Sequence, residues 1–362
     1  MARDLTRTGN HWPTSSADIT PEWLSWALSE RHPGTIVTDV SVPDIVYRSA
    51  VKAHLAITYE AGASNGLPES MYLKGGLGGE MAAISGPAYI NEVRFFSEFA
   101  DRIPVDKPRH FYAGIGSNGD GLLLMEDLSE RASFGRAASG ESFTVEMVAQ
   151  ILEQQATLHA LFWESPELEE RDWLNPAVDD LRGLIINFIL SKDNWDKQVG
   201  ARSEVVPESV RDRDAVIEAL RRMWAFNDTL PRTLLHGDPH QDNCFITRDG
   251  VPALLDWQTA QAGVWAHDVT YTIIGCLSIE DRRASLTGLL DGYLNALAGK
   301  GVTSAPGREE ALLAVRRNVW HSFLWWLTPV EMQPDATSRI VGERFAVAAL
   351  DLESFAAVGM ER

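Results

Sequence analysis

Between about residues 36 and 128 apolar and polar residues tend to alternate, whereas from Thr144 onward apolar residues recur every three or four positions. The change of period divides the chain before any single residue is considered. Ahead of the alternating part, Asp18 to Ser29 (DITPEWLSWALS) has Thr20 as a cap, Pro21 in the first turn, and Trp23, Leu24, Ala27 and Leu28 behind them. This predicts a short helix in an N-terminal extension over residues 1–35. From Ile36 to Lys74 the segments TIVTDVSV, AHLAITYE and SMYLKGG predict three antiparallel strands. A helix is expected from Pro87 to Arg102, where Ile90, Val93, Phe96, Ala100 and Ile103 recur at near-helical spacing behind Gly86-Pro87. Two further strands, RHFYAGIG and GLLLMEDL, flank the turn-forming Ser117 to Gly121. The expected unit is an α+β lobe over residues 36–128, with an antiparallel five-stranded sheet and one helix.

The remainder, residues 129–362, reads as a larger, mainly helical lobe carrying VEMVAQILEQQATLHALFW and AVIEALRRMWAFN. A single β-hairpin is expected inside it between Cys244 and Asp256, and the Ser-, Gly- and Ala-rich stretch from Ser129 to Ser142 marks the boundary. A chain of 362 residues with 45% hydrophobic composition can fill two such lobes. The formal net charge of −19 argues against a nucleic-acid binder, which needs a basic face. Two cysteines, Cys244 and Cys276, offer neither a disulfide framework nor zinc spacing, and the polar N-terminus has no leader-like apolar core, so a cytoplasmic location is expected. No apolar run approaches the ~20 residues that span a bilayer.

The chemistry concentrates in LLHGDPHQDNCFITRDGVPALLDW, from Leu234 to Trp257. Phosphoryl transfer asks a protein to orient a hydroxyl toward a γ-phosphate and to hold divalent cations on the phosphate oxygens. Asp238 can accept a hydrogen bond from the hydroxyl and orient it, and Asn243 and Asp256 offer hard oxygens suited to Mg²⁺. Asp249-Gly250 is a tight-turn signal between the apolar segments CFI and ALL, which folds the Asp256 end of the hairpin back toward Asn243.

His236-Gly237-Asp238-Pro239-His240-x-x-Asn243 followed by Leu255-Asp256-Trp257 resembles the signature of the aminoglycoside-phosphotransferase and choline-kinase superfamily, which shares a protein-kinase-like two-lobe fold. DWQTAQAGVWAHDVTY and LWWLTPVEMQP further resemble a bacterial branch related to ecdysteroid-kinase-like proteins. The resemblance implies a small-molecule kinase that uses ATP, or GTP, with Mg²⁺ to phosphorylate a hydroxyl of a small-molecule acceptor. By position it makes Asp238 the catalytic aspartate and Asn243 and Asp256 the metal ligands. Asp268 becomes the carboxylate that steadies the catalytic loop, with His236 and His240 in structural support. Lys74 in MYLKGG matches the phosphate-binding lysine, and Glu92 in NEVRFFSEF its partner, with Glu98 and Glu80 as competitors. Met125-Glu126-Asp127-Leu128 matches the hinge, whose backbone groups meet the adenine edge, with Glu126 and Leu128 as the candidate contacts. Arg48 and Ser49 stand where the family covers the phosphates with a glycine-rich loop, and this chain has no glycine there.

Two other readings compete. His236, Asp238 and His240 form an H-x-D-x-H set of the kind a metal-dependent hydrolase uses, which leaves Lys74, Asn243 and Asp256 without a role. A non-catalytic nucleotide-binding homologue would be expected to lack one of Asp238, Asn243 and Asp256, and all three are present. The Gly-rich runs at Gly75–Glu80 and Gly116–Gly121 lack the ending of a Walker loop and read as turns. For the acceptor, the acidic balance points to a cation and the tryptophan-rich C-terminal helices to an apolar molecule.

Overall fold

A computed structural model describes residues 6–7, 12–47, 50–77, 82–135, 137–175 and 182–361, with the backbone alone at 6–7, 82–88 and 138. The chain divides into two compact units, Met1–Ala132 with Asp256–Thr259, and Ser133–Leu255 with Ala260–Arg362.

In the first unit, strands β1 (Thr6–Arg7), β2 (Val37–Tyr47), β3 (Val51–Tyr59), β4 (Ser70–Gly75), β5 (His110–Gly116) and β6 (Gly121–Glu126) form one sheet in the order β1-β5-β6-β4-β3-β2. The five longer strands pair antiparallel as expected. β1 adds a parallel edge beside Ile115 and Gly116, too short to leave a sequence pattern. Alternation sets the faces: Val51, Ala53, Leu55 and Ile57 of β3 are buried, and Lys52 is exposed. The same register pairs Lys52 with Lys74 on β4.

Helix α1 (Pro21–Ser29) begins where the Thr20 hydroxyl accepts the Trp23 N–H at 3.2 Å. It buries Trp23, Leu24, Ala27 and Leu28 in the same core as Leu55, Leu73 and Tyr112, so it belongs to this unit's core and does not stand outside it. Helix α2 runs Ala82–Glu98, earlier than the expected Pro87–Arg102. It passes through Gly86-Pro87, and the last expected turn is a separate 3₁₀ turn, Ala100–Arg102. Val93 lies so close to β6 that a Cβ on Gly121 would fall 2.9 Å from its Cγ2, which fixes the helix against the strand.

The second unit contains α3 (Val145–Phe162), α4 (Lys192–Arg202), α5 (Arg213–Asn227), α6 (Trp265–Cys276), α7 (Ile279–Gly299), α8 (Arg308–Ser322) and α9 (Asp335–Asp351). Every residue of α6 except His267 is buried, as befits a helix surrounded by others. The core around it holds Trp320, Phe323, Trp326 and Phe345. The expected hairpin is present, Cys244–Thr247 paired with Pro252–Leu254 across a turn in which Gly250 has φ 79°. It is not alone: Arg232–Leu235 pairs antiparallel with Gln261–Val264. These runs of four residues are too short to be told from helix by periodicity, and their partners lie far along the chain.

Candidate functional site

Strand β4 presents Lys74 almost wholly buried, and such a cation needs carboxylates around it. Its Nζ lies 2.5 Å from Glu92 Oε2 on α2 and 2.7 Å from Asp256 Oδ1, three parts of the chain meeting within the first unit. Burial alone would lower the Lys74 pKa, but the charges of Asp256 and Glu92 outweigh it and raise it. Burial raises Glu92, against the pull of Lys74. The other Glu92 oxygen accepts the Trp257 N–H at 3.2 Å, and the Trp257 ring stacks on Phe95 with centroids 4.1 Å apart. Asp256 has φ 65°, left-handed backbone for a residue other than glycine, which costs about 1 kcal/mol and turns the chain sharply after Leu255. Lys52 lies 4.0 Å from Asp256 Oδ2 but is half exposed and weakly coupled.

The second cluster is built on the loop that follows Arg232–Leu235. Asp268, fully buried on the first turn of α6, accepts the N–H groups of His236 at 2.7 Å and Gly237 at 3.0 Å. Burial would raise its pKa, but the hydrogen bond and charge of His159, with Nε2 at 3.5 Å, outweigh that and hold it below the ordinary carboxylate value. Gly237 has φ 89°, a conformation that only glycine adopts without cost. Within this loop Asp238 remains partly exposed, its side chain at 26%, while His236, Gly237, Pro239 and His240 are buried.

Asn243 Nδ2 donates to the Asp238 carboxylate and to its backbone carbonyl, each at 3.0 Å. His240 Nδ1 accepts the Asp242 N–H at 3.2 Å, which leaves the ring proton on Nε2, 3.5 Å from Asp238 Oδ2. Burial raises the Asp238 pKa, but the charge and hydrogen bond of His240, with a bond from Tyr271, bring it below the ordinary value. His240 is shifted upward, the Asp238 charge overcoming burial. Both nitrogens of His236 are also engaged: Nδ1 takes the Asp238 N–H at 3.3 Å, and Nε2 bonds the Leu255 carbonyl at 3.0 Å. The two imidazoles of the H-x-D-x-H set are therefore committed to loop geometry, and zinc ligation would break backbone bonds.

Glu92, and not Glu98, meets Lys74, while Glu80, Arg48 and Ser49 lie outside the described residues. The Glu126 carboxylate is taken up by Arg109 and Arg131, with bonds of 2.7 to 3.1 Å. Burial opposes ionisation there, but these bonds keep its pKa low, and they commit the Glu126 side chain to the protein itself. Sequence reasoning missed Tyr271, whose hydroxyl accepts from Trp325 Nε1 and bonds Asp238. It also missed His267, whose Nε2 bonds the Gly237 carbonyl at 2.8 Å. A signal existed, since Asp268 and Tyr271 stand three residues apart on one helix and so share a face.

A comparison with curated proteins finds no match. Among solved structures, the chain resembles a microcompartment-associated aminopropanol kinase, at 12% identity and TM-score 0.47 over 93% of this chain and 99% of that one. It resembles choline kinase LicA from Streptococcus pneumoniae at 12% identity and TM-score 0.46, over 92% and 98%. Macrolide 2'-phosphotransferase MphH from Brachybacterium faecium is similar at 17% identity and TM-score 0.43, over 88% and 97%. These likenesses carry no weight of their own. The family model does: that of the phosphotransferase enzyme family matches residues 85–309, well over half of the sequence and inclusive of the whole Asp238 loop, and the chain belongs to that family.

Proposed function

We propose that this phosphotransferase moves the γ-phosphate of a nucleoside triphosphate, ATP with GTP as the alternative donor, onto a hydroxyl of a small molecule. The observation that carries the reading is the partly exposed Asp238 on a loop whose neighbouring residues are buried and whose backbone is gripped by Asp268. Held ionised by His240 and Tyr271, with its carboxylate also hydrogen-bonded by Asn243, Asp238 accepts the acceptor's hydroxyl proton as the oxygen attacks phosphorus. The leaving group is the nucleoside diphosphate. Lys74, oriented by Glu92, meets the donor's α- and β-phosphates, and the backbone from Glu126 to Leu128 meets the base. Asp268, His236 and His240 are positioning residues that keep the loop in shape.

Each of the two residues offers an oxygen suited to Mg²⁺: Asn243 spends its amide hydrogens on Asp238 and so keeps its carbonyl oxygen, and Asp256 has a carboxylate. The ion would neutralise charge on the donor's phosphate oxygens.

The test is turnover of Asp238→Asn with a labelled nucleotide. We expect a fall of ~10²-fold or more with nucleotide affinity retained. Near-normal turnover would remove the assignment. Activity should require Mg²⁺ or Mn²⁺, and Asn243→Ala and Asp256→Ala should each weaken metal-dependent nucleotide binding. Zinc bound stoichiometrically and lost on His240→Ala, with hydrolysis in the absence of nucleotide, would instead establish the hydrolase.

A further inference from the structure

The second unit contains a cavity of about 260 Å³ lined by Leu235, Gln261–Val264, residues of α5 and Arg182. It reaches the Asp238 loop through His267, which bonds Gly237, and through His321, which lies within reach of the Asp238 charge. The overall charge of −19 would suggest an acidic wall, but the described part of the wall is not acidic. Among its described residues Asp228 is the only carboxylate, against two guanidinium groups, Arg182 and Arg232.

That carboxylate is already engaged. Arg182 donates to both Asp228 oxygens, at 2.9 and 2.6 Å. The same guanidinium lies 5.3 Å from the ring centre of Trp224, the position that a ligand's ammonium group would take on an aromatic face. Arg232 is bonded to the Asn175 side chain and the Ala262 carbonyl. His321 is held neutral, its pKa pushed down to about 3 by burial and by His267 against the pull of Asp238. Both features that recognise cations, a carboxylate and an aromatic face, are thus satisfied by the protein's own cation. Leu184 and Phe188, on the segment that carries Arg182 and the lining residue Ile185, are 58% and 51% exposed and give this segment an apolar face towards solvent.

Resting on the phosphoryl-transfer reading above, we propose that the acceptor is an alcohol without a positive charge that lays an apolar face in this cavity, and that Arg182 excludes ammonium-bearing acceptors. Among the described lining residues, positive charge on a ligand would meet two guanidinium groups and a single carboxylate already paired with Arg182. The imidazoles of His267 and His321 supply hydrogen bonds suited to uncharged hydroxyls.

The experiment gives the full-length protein Mg²⁺, labelled nucleotide triphosphate and two panels matched in size: aminoalcohols and amino sugars, and uncharged cyclic alcohols and polyols. The best uncharged acceptor should exceed the best ammonium-bearing one at least ~10-fold in kcat/KM. Arg182→Ala frees Asp228 and the Trp224 face, and should move this ratio ~10-fold or more toward the ammonium panel. Asp228→Asn, which leaves the guanidinium in place, should keep the ratio in favour of the uncharged panel or raise it, and guards against a folding defect in the first variant. A preferred ammonium acceptor in the unaltered protein overturns the inference, as does an unchanged ratio in a folded Arg182→Ala. If neither panel is phosphorylated, calorimetric binding of the same compounds decides, and failure of the uncharged panel to bind overturns it. Asp238→Asn on the preferred acceptor separates the two levels: retained turnover sinks the transfer reading, whereas lost turnover with an ammonium preference sinks only the cavity inference.

Discussion

The two charge clusters solve one problem, a buried carboxylate, in different ways. In the first unit Glu92 and Asp256 are neutralised by Lys74, a cation whose raised pKa keeps it charged through the neutral range. In the second, Asp268 and Asp238 are held by backbone N–H groups, an amide and histidines, and only the histidines carry a titratable positive charge. The first arrangement depends on distant elements arriving in register. The second is largely a property of one loop and one helix, and it leaves Asp238 ionised and partly exposed.

The difference should be most visible when the shared buried cation is removed. Lys74→Met leaves two facing carboxylates without the buried cation they share and should destabilise the protein by about 3 kcal/mol or more, read by urea unfolding. Glu92→Gln, which leaves Asp256 on Lys74, should cost less, and the double variant less than the sum of the two. Additive losses would show that the residues do not act as a unit. Turnover should follow the same non-additive pattern if Lys74 positions phosphates through Glu92.

Asp268→Asn tests the second cluster. The amide keeps one acceptor but turns an NH₂ toward a backbone N–H, so a loss of about 2 kcal/mol is expected, with turnover falling more steeply than nucleotide affinity. Equal loss of both would make Asp268 a packing residue only.

A smaller effect isolates backbone from charge at Asp256. Asp256→Gly and Asp256→Val both lose the Lys74 partner, but only valine is strained at φ 65°, so the valine variant should be less stable by about 1–2 kcal/mol. Equal stabilities would mean that the turn after Leu255 relaxes.

The smallest expected effect is in pH dependence. His240 is raised on folding, so its contribution is fully present below its unfolded value near 6.5 and is lost as pH rises through the raised folded value. Asp238 is lowered, so its contribution is present above its unfolded value of 3.8 and is lost as pH falls through the depressed one. The stability difference between the unaltered protein and His240→Gln should therefore shrink from mildly acidic to mildly alkaline pH. The difference due to Lys74→Met should stay flat over that range. A flat His240 difference would place the imidazole in the neutral form throughout.

Both the fold and the candidate site were partly legible in advance. The α+β unit, the helical unit and the hairpin through Asp249-Gly250 follow from periods and turn residues that act over a few positions. The start of α2 was misread because Gly86-Pro87 looks like a boundary, and the backbone continues through it. The strand Arg232–Leu235 was missed because its partner lies 26 residues on. Resemblance to a bacterial ecdysteroid-kinase-like branch rests on sequence alone.

By itself the sequence determined the loop from His236 to Asn243, the hairpin after it and the candidate residues on them, because their spacing is fixed by covalent geometry and local hydrogen bonds. Only the tertiary structure decided that Glu92 and not Glu98 meets Lys74, that Tyr271 and Trp325 stand behind Asp238, and that an acidic chain carries a cavity whose described lining holds more guanidinium than carboxylate. The physical reason is range. Net charge sums over the whole surface, whereas a ligand in a cleft feels chiefly the groups within about 10 Å, and which groups those are is set by the packing of helices far apart in the chain.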